Sequence, residues 1–152
     1  MSLAQMRCLL AGFLLVLSAC GTLPQDPQGT LDRIGKTKQI QIGLVAGTPN
    51  VPEVQQLINE IEVRAIAHAQ MSKGSAEDLL QRLSTGKVDL VVGAFAKDSP
   101  WKTMVAFGPA VRTFGAKKDL IEVKGAMRNG ENRWIMLVER ASRTVSRDRK
   151  DQ

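Results

Sequence analysis

Cysteine is almost missing from this chain of 152 residues: Cys8 and Cys20 are the two present, both near the start. The body of the chain therefore forms no disulfide, and its fold must stand on a hydrophobic core alone. Histidine is scarcer still. His68 is the single one, too few for a metal site or a catalytic triad, and it reads as a strand or surface residue. No apolar run approaches the ~20 residues needed to span a bilayer. The usual carriers of enzyme chemistry are also lacking. There is no nucleophile beside a base, no carboxylate pair at a plausible loop spacing, no metal-ligand cluster and no phosphate loop. Neither catalysis nor a cofactor is expected. No internal repeat and no nucleic-acid-binding motif is found, so nucleic acid is not an expected partner.

What is present begins at the N-terminus. Arg7 precedes the apolar run Cys8 to Leu17, and Leu17-Ser18-Ala19-Cys20 follows. A basic start, about ten apolar residues and then small residues form a secretory signal. With cysteine in the last place, it resembles the bacterial lipoprotein signal, the lipobox. The resemblance implies cleavage before Cys20 and a lipid such as palmitate on that residue. The protein would then sit on the periplasmic side of an envelope membrane. Gly21, in place of an Asp, slightly favours the outer membrane by the same resemblance. Residues 1–19 are thus read as signal and 20–29, with Pro24 and Pro27, as a flexible tether. Residues 30–146 form one lobe and 147–152 a disordered basic tail.

Loss of Arg7 with the signal leaves 20 basic residues (21 less one) against 15 acidic, or +5. Much of the excess lies in Arg140, Arg143, Arg147, Arg149 and Lys150, interleaved with Glu139, Asp148 and Asp151. A solvated, frayed helix end is the simplest account. Attraction to anionic lipid headgroups, about 1 kcal/mol per basic group near such a surface, is the second account.

Thr30 can cap a short helix that aligns Leu31 and Ile34. Gln39 to Val45 alternates and then turns fully apolar, which is strand patterning. Val54, Leu57, Ile58 and Ile61 trace one helical face, with Pro52 in its first turn. Glu62 to about Met71 carries Val63, Ala65, Ala67 and Ala69 at alternate positions and reads as a second strand, with a continued helix as competitor. Ser75 caps the next helix at Asp78, and Ala76, Leu79, Leu80 and Leu83 form its face. Gly86 closes it in a left-handed conformation. Val88 to Phe95 is nearly all apolar, as in a strand covered on both sides. Short strands are expected at Met104–Phe107 and Leu120–Val123. A last helix from Asn132 aligns Trp134, Leu137, Val138, Ala141 and Val145.

Strand, helix, strand, helix, strand with short links makes an α/β fold: a mostly parallel sheet with helices on both faces. Ligands of such sheets sit where strands end at their carboxyl edge. Two loops meet there, Gly47-Thr48-Pro49-Asn50 and Ala96 to Trp101. Trp101 can stack on a ring or cation, and Lys97 beside Asp98 can meet an anion. Packing of Trp101 over the sheet edge is the competing reading. Gly47 and Thr48 either leave amides open to an anion or form a plain turn. Asp89 reads as a mid-strand residue with a structural hydrogen bond, Gly130-Glu131-Asn132 as a turn and helix cap, and Trp134 as core.

Residues 30 to about 110 resemble the extracellular solute-binding proteins of amino-acid-type ABC transporters. The resemblance rests on Leu31-Asp32-Arg33-Ile34, Ile40-Gln41-Ile42-Gly43, Leu80 to Leu83, Gly86-Lys87-Val88-Asp89-Leu90-Val91-Val92-Gly93, and Val105-Ala106-Phe107-Gly108-Pro109. It implies one lobe of a type II periplasmic-binding-protein-like fold. The family inserts a second lobe after its F-S-x-P strand, which Val105-Ala106-Phe107-Gly108-Pro109 resembles; here only some twenty residues separate Pro109 from Gly130. Where the family carries an Arg for a ligand carboxylate, this chain has Trp101. Ala94 and Ala96 replace small hydroxyl residues, and Val45 replaces an acid. The expected function is a membrane-tethered solute-binding-like lipoprotein that holds a small solute weakly or docks to a transporter or other membrane partner. The alternative is a structural or interaction envelope lipoprotein that has lost ligand binding. Candidate ligand contacts are Gly47, Thr48, Phe95, Lys97, Asp98, Ser99 and Trp101, with Cys20 as the lipidation site.

Overall fold

A computed structural model describes residues 26–116 and 119–148. The signal, Cys20 and the basic residues Arg149 and Lys150 lie outside the described residues. Asp26, the first described residue, accepts through its carboxylate from the amides of Leu31, Arg133 and Trp134. Residues 26–29, the end of the stretch expected as tether, are thereby bonded to two helix starts.

Helix α1 spans Thr30–Thr37. Its N-cap is Gly29 rather than Thr30, because a distant carboxylate, that of Glu131, takes the amides of Gln28 and Thr30. Strand β1, Gln39–Val45, and helix α2, Pro52–Ala65, follow as their patterns predict. The second strand differs from expectation. Strand β2 is His68–Gly74, and the Glu62–Ala65 part of the alternation belongs to α2. Val63 is 73% exposed on the helix's outer side. The helix closes at Ile66, which takes a left-handed φ of 51° and donates to the carbonyls of Glu62 and Val63. Glu62 then accepts the Ala69 amide at 2.6 Å, tying the helix end to the new strand.

Helix α3, Ala76–Ser84, has the expected Ser75 cap, whose hydroxyl oxygen accepts from Asp78 N at 3.2 Å. Gly86 is left-handed after it, with φ 76°. Strand β3 is Leu90–Ala96, so Asp89 stands just before the strand and not within it. A short 3-10 turn, Pro100–Thr103, precedes β4, Val105–Phe107. Strand β5, Arg112–Phe114, has no counterpart in the sequence reading. Strand β6 spans Ile121–Arg128, longer than expected because Lys124 and Gly125 interrupt its apolar pattern yet stay in the ladder. Helix α4 runs from Asn132 to Asp148 and so includes Arg147.

The six strands form one sheet in the order β2-β1-β3-β6-β4, with β5 also on β6. Strands β2, β1 and β3 are mutually parallel. Strand β6 runs antiparallel between β3 and β4 and pairs β5 the same way, so the sheet is parallel in its first half only. Crossover helices can sit on either side, and they do. Leu57, Ile58 and Ile61 of α2 join Ile34 and the α4 residues Trp134, Val138, Ala141 and Val145 over one face. Leu79, Leu80 and Leu83 of α3 cover the other with Val91, Phe95 and Ala126. Each such fully buried aliphatic side chain is worth about 1.5–3 kcal/mol. Gly43 sets the α3 distance: a methyl group there would lie 2.7 Å from Leu79 Cδ2.

Below β3 a polar cluster locks the first face. Asp89 bonds Arg33 and accepts from Gln41 N at 2.8 Å, while its carbonyl accepts from Trp134 Nε1 at 2.9 Å. Asp89 is thus a structural residue, and Trp134 is core.

Candidate ligand groove at the carboxyl edge of the sheet

Strands β1 and β3 pair directly, Ile42 with Leu90 through Leu44 with Val92. Their loops consequently leave the same edge side by side. In the first, Gly47 is exposed with φ 82°, and the Thr48 amide and hydroxyl both donate to the Val45 carbonyl, at 3.1 and 2.7 Å. That is a turn in which Thr48 has spent its donors internally. In the second, Lys97 N donates to Leu120 O at 2.9 Å. Ser99 is buried, and its hydroxyl oxygen accepts from Trp101 N at 3.4 Å to cap the 3-10 turn.

The candidate contacts therefore separate by orientation. Gly47, Lys97 and Asp98 are exposed, and Thr48 and Trp101 are half-buried. Phe95 and Ser99 are buried and serve the loop's own framework. Trp101 packs with Val45 and Phe107 against the α3-side core. It forms a ledge at the sheet edge with part of its indole left accessible.

The sequence reading missed the charged groups beneath this ledge. Phe95 and Phe107 meet with ring centroids 5.0 Å apart at 55°. Lys124, only 5% exposed, places Nζ 4.4 Å from the Phe107 centroid and 2.7 Å from Glu122 Oε2. A buried ammonium is tolerable only with such partners. The available signal was a lone lysine inside Val123-Lys124-Gly125-Ala126-Met127. On the opposite face, Glu53 opens α2 directly after the first loop. It is 3% exposed; Oε1 meets Arg112 Nη1 at 2.8 Å, and Oε2 has no hydrogen-bond partner among the described residues. The Arg112 guanidinium lies 5.6 Å from the Phe114 centroid. This ion pair fastens β5 to α2.

Electrostatics at the far end of the sheet are structural. Burial is the largest single influence on the Glu131 carboxyl and pushes its pKa up. The Thr30 hydroxyl, the amides of Gln28 and Thr30 and the charge of Arg128 together outweigh it, so the pKa is lowered. Gly130-Glu131-Asn132 is therefore a turn and a cap, shared between α4 and the start of α1.

No protein-family model matches this chain, and no curated protein matches it. Solved structures do. The arginine-bound form of domain 1 from TmArgBP is 18% identical, with a TM-score of 0.62, over 74% of this chain and 98% of that one. An ancestral cationic amino acid solute-binding protein, AncCDT-1, is 12% identical with a TM-score of 0.62, over 80% and 95%. The amino acid ABC transporter substrate-binding protein AbpA of Streptococcus pneumoniae, bound to L-arginine, is 10% identical with a TM-score of 0.64, over 78% and 93%. At these identities the likeness is one of fold. The sheet of parallel β2, β1 and β3 with β6 returning antiparallel, clad by helices on both faces, is one lobe of a type II periplasmic-binding-protein fold.

Proposed function

We propose that this chain is a single-lobe solute-binding-like protein, tethered by lipid on Cys20 to the periplasmic side of an envelope membrane, that binds a small solute weakly. The observation that carries the reading is the sheet topology, with two loops converging at the carboxyl edge beside the half-exposed Trp101. An isolated domain of similar fold is described as arginine-bound, so one lobe suffices for a ligand in that protein. Only residues 108–120 join β4 to β6 here, and they hold β5. We take this short link to stand where the family places a second lobe. An open groove buries less of a ligand than a closed clamp, so affinity is low. Trp101 offers a stacking face, and Lys97 and Asp98 offer one charge of each sign.

Calorimetry and thermal unfolding of the full chain in neutral detergent, against amino acids including arginine, amines and organic anions, test this reading. A saturable shift from one class that weakens in Trp101→Ala supports it. Silence from every class removes the small-solute reading.

One observation favours the second reading, a docking or structural envelope protein without a ligand. The donors of Thr48 are already used within the turn, and Ser99 is buried in the second loop. On that reading the full chain retains a membrane protein in detergent pull-downs, and Trp101→Ala abolishes the capture.

A further inference from the structure

On the side away from the candidate groove, the ends of two helices and the β4–β5 link enclose a second depression of about 590 Å³. Four arginines line it: Arg64 from α2, and Arg140, Arg143 and Arg147 from α4. Pro109 and Ala110 form the opposing wall. We propose that this arginine groove binds a phosphate-type oxyanion.

The spacing 140, 143, 147 puts three guanidinium groups on one stripe of α4. Arg64 reaches the same space from another helix and is held there. Its Nη2 donates to Thr144 Oγ1 at 3.1 Å and meets Glu60 Oε1 at 2.5 Å. The groove wall is braced as well, since Ser146 Oγ donates to Ala110 O at 2.9 Å. Two carboxylates offset part of the charge, Glu60 on Arg64 and Glu139 on Arg143. Arg140 and Arg147 make no ion pair with any described carboxylate, so about two positive charges are left over around the groove.

A solvated helix end does not account for this arrangement. The negative end of the helix dipole favours cations only within the last turn. Arg147 lies there, whereas Arg140 and Arg143 are farther back, and Arg64 is on a different helix. With Glu60 on Arg64 and Glu139 on Arg143, the charges of Arg140 and Arg147 are the ones an added anion would offset. Planar guanidinium forks fit the oxygens of a phosphate in two-point fashion. The phosphate can come from a soluble compound or from a lipid headgroup, and the groove chemistry is the same for both.

The test uses the full chain in neutral detergent micelles, followed by thermal unfolding. One arm adds inorganic phosphate against chloride at matched ionic strength. The other dopes the micelles with phosphatidylglycerol. Saturating occupancy is expected to raise the melting temperature by about 2–5 °C. The double variant R140S/R147S removes the two arginines that pair with no described carboxylate; its circular dichroism should match the parent, and the shift should vanish. A response to inorganic phosphate assigns a soluble ligand, and a response to phosphatidylglycerol alone assigns a headgroup. No response in either arm, or an equal response in the variant, overturns the proposal.

Discussion

Glu131 carries more of the fold than its place in a turn suggests. Its carboxylate accepts the Gln28 amide at 2.8 Å and the Thr30 amide at 2.9 Å. Arg128 frames the same corner through Gln28 Oε1 at 2.6 Å and Thr30 Oγ1 at 2.9 Å. The folded carboxyl has a lowered pKa, so its contribution is complete above the unfolded value. That contribution is lost as pH falls through the folded value. Glu131→Gln should cost about 1–3 kcal/mol near neutral pH, because one oxygen acceptor becomes a donor facing donors. Urea denaturation at neutral and acidic pH checks this, with the gap between variant and parent shrinking toward low pH. A cap was legible at Glu131 from its position before a helix. The helix it serves at the other end of the chain was not, since the pairing spans about a hundred residues. Lys124 was equally opaque, because only assembled strands reveal the Phe107 ring and Glu122 carboxylate that accommodate it.

Helix faces were readable wherever apolar residues recurred at three and four, as in Leu79, Leu80 and Leu83. Boundaries were less so. The period of two over Val63, Ala65, Ala67 and Ala69 mixed an exposed helical turn with the start of β2, and the left-handed Ile66 that divides them carries no local signature. Strand β5 was invisible because three residues give no period, and beside its ladder with β6 it is fastened to the distant Glu53. Arg112→Ala should cost about 1–3 kcal/mol: the pair is half-exposed on the arginine side, yet its loss leaves a buried carboxylate alone. Hydrogen exchange should show faster amides at Arg112–Phe114, with β1 protection kept relative to global stability. At the α3 contact, Gly43→Ala should cost about 1–3 kcal/mol, since the new methyl meets Leu79 in a packed interior. A lower urea midpoint with an unchanged slope is the expected result.

At the scale of the whole molecule, the order of elements foretold the parallel half of the sheet through its crossovers. The antiparallel return was not written in the pattern, because β6 is a late segment inserted between two earlier strands. The candidate groove was legible as a place, by the rule that ligands meet carboxyl edges, but not as a set of contacts. Phe95 and Ser99 turned inward, and Thr48 bonded its own turn. The proposed lipid attachment at Cys20 lies outside the described residues, and no described helix is long and apolar enough to cross a bilayer. Cys20→Ser should abolish incorporation of labelled palmitate and move the protein from the membrane fraction to the soluble or uncleaved pool, as seen by fractionation and mass spectrometry.

The interposed β6 also governs how the protein is made. Until residues 121–128 emerge, β3 has a bare ladder on one side, and β4 and β5 have nothing to join. The molecule is built like an arch whose keystone arrives after every strand it joins. A chain lacking it would hold one three-stranded fragment, β2-β1-β3, with a bare margin on β3 open to the next copy, and two strands without partners.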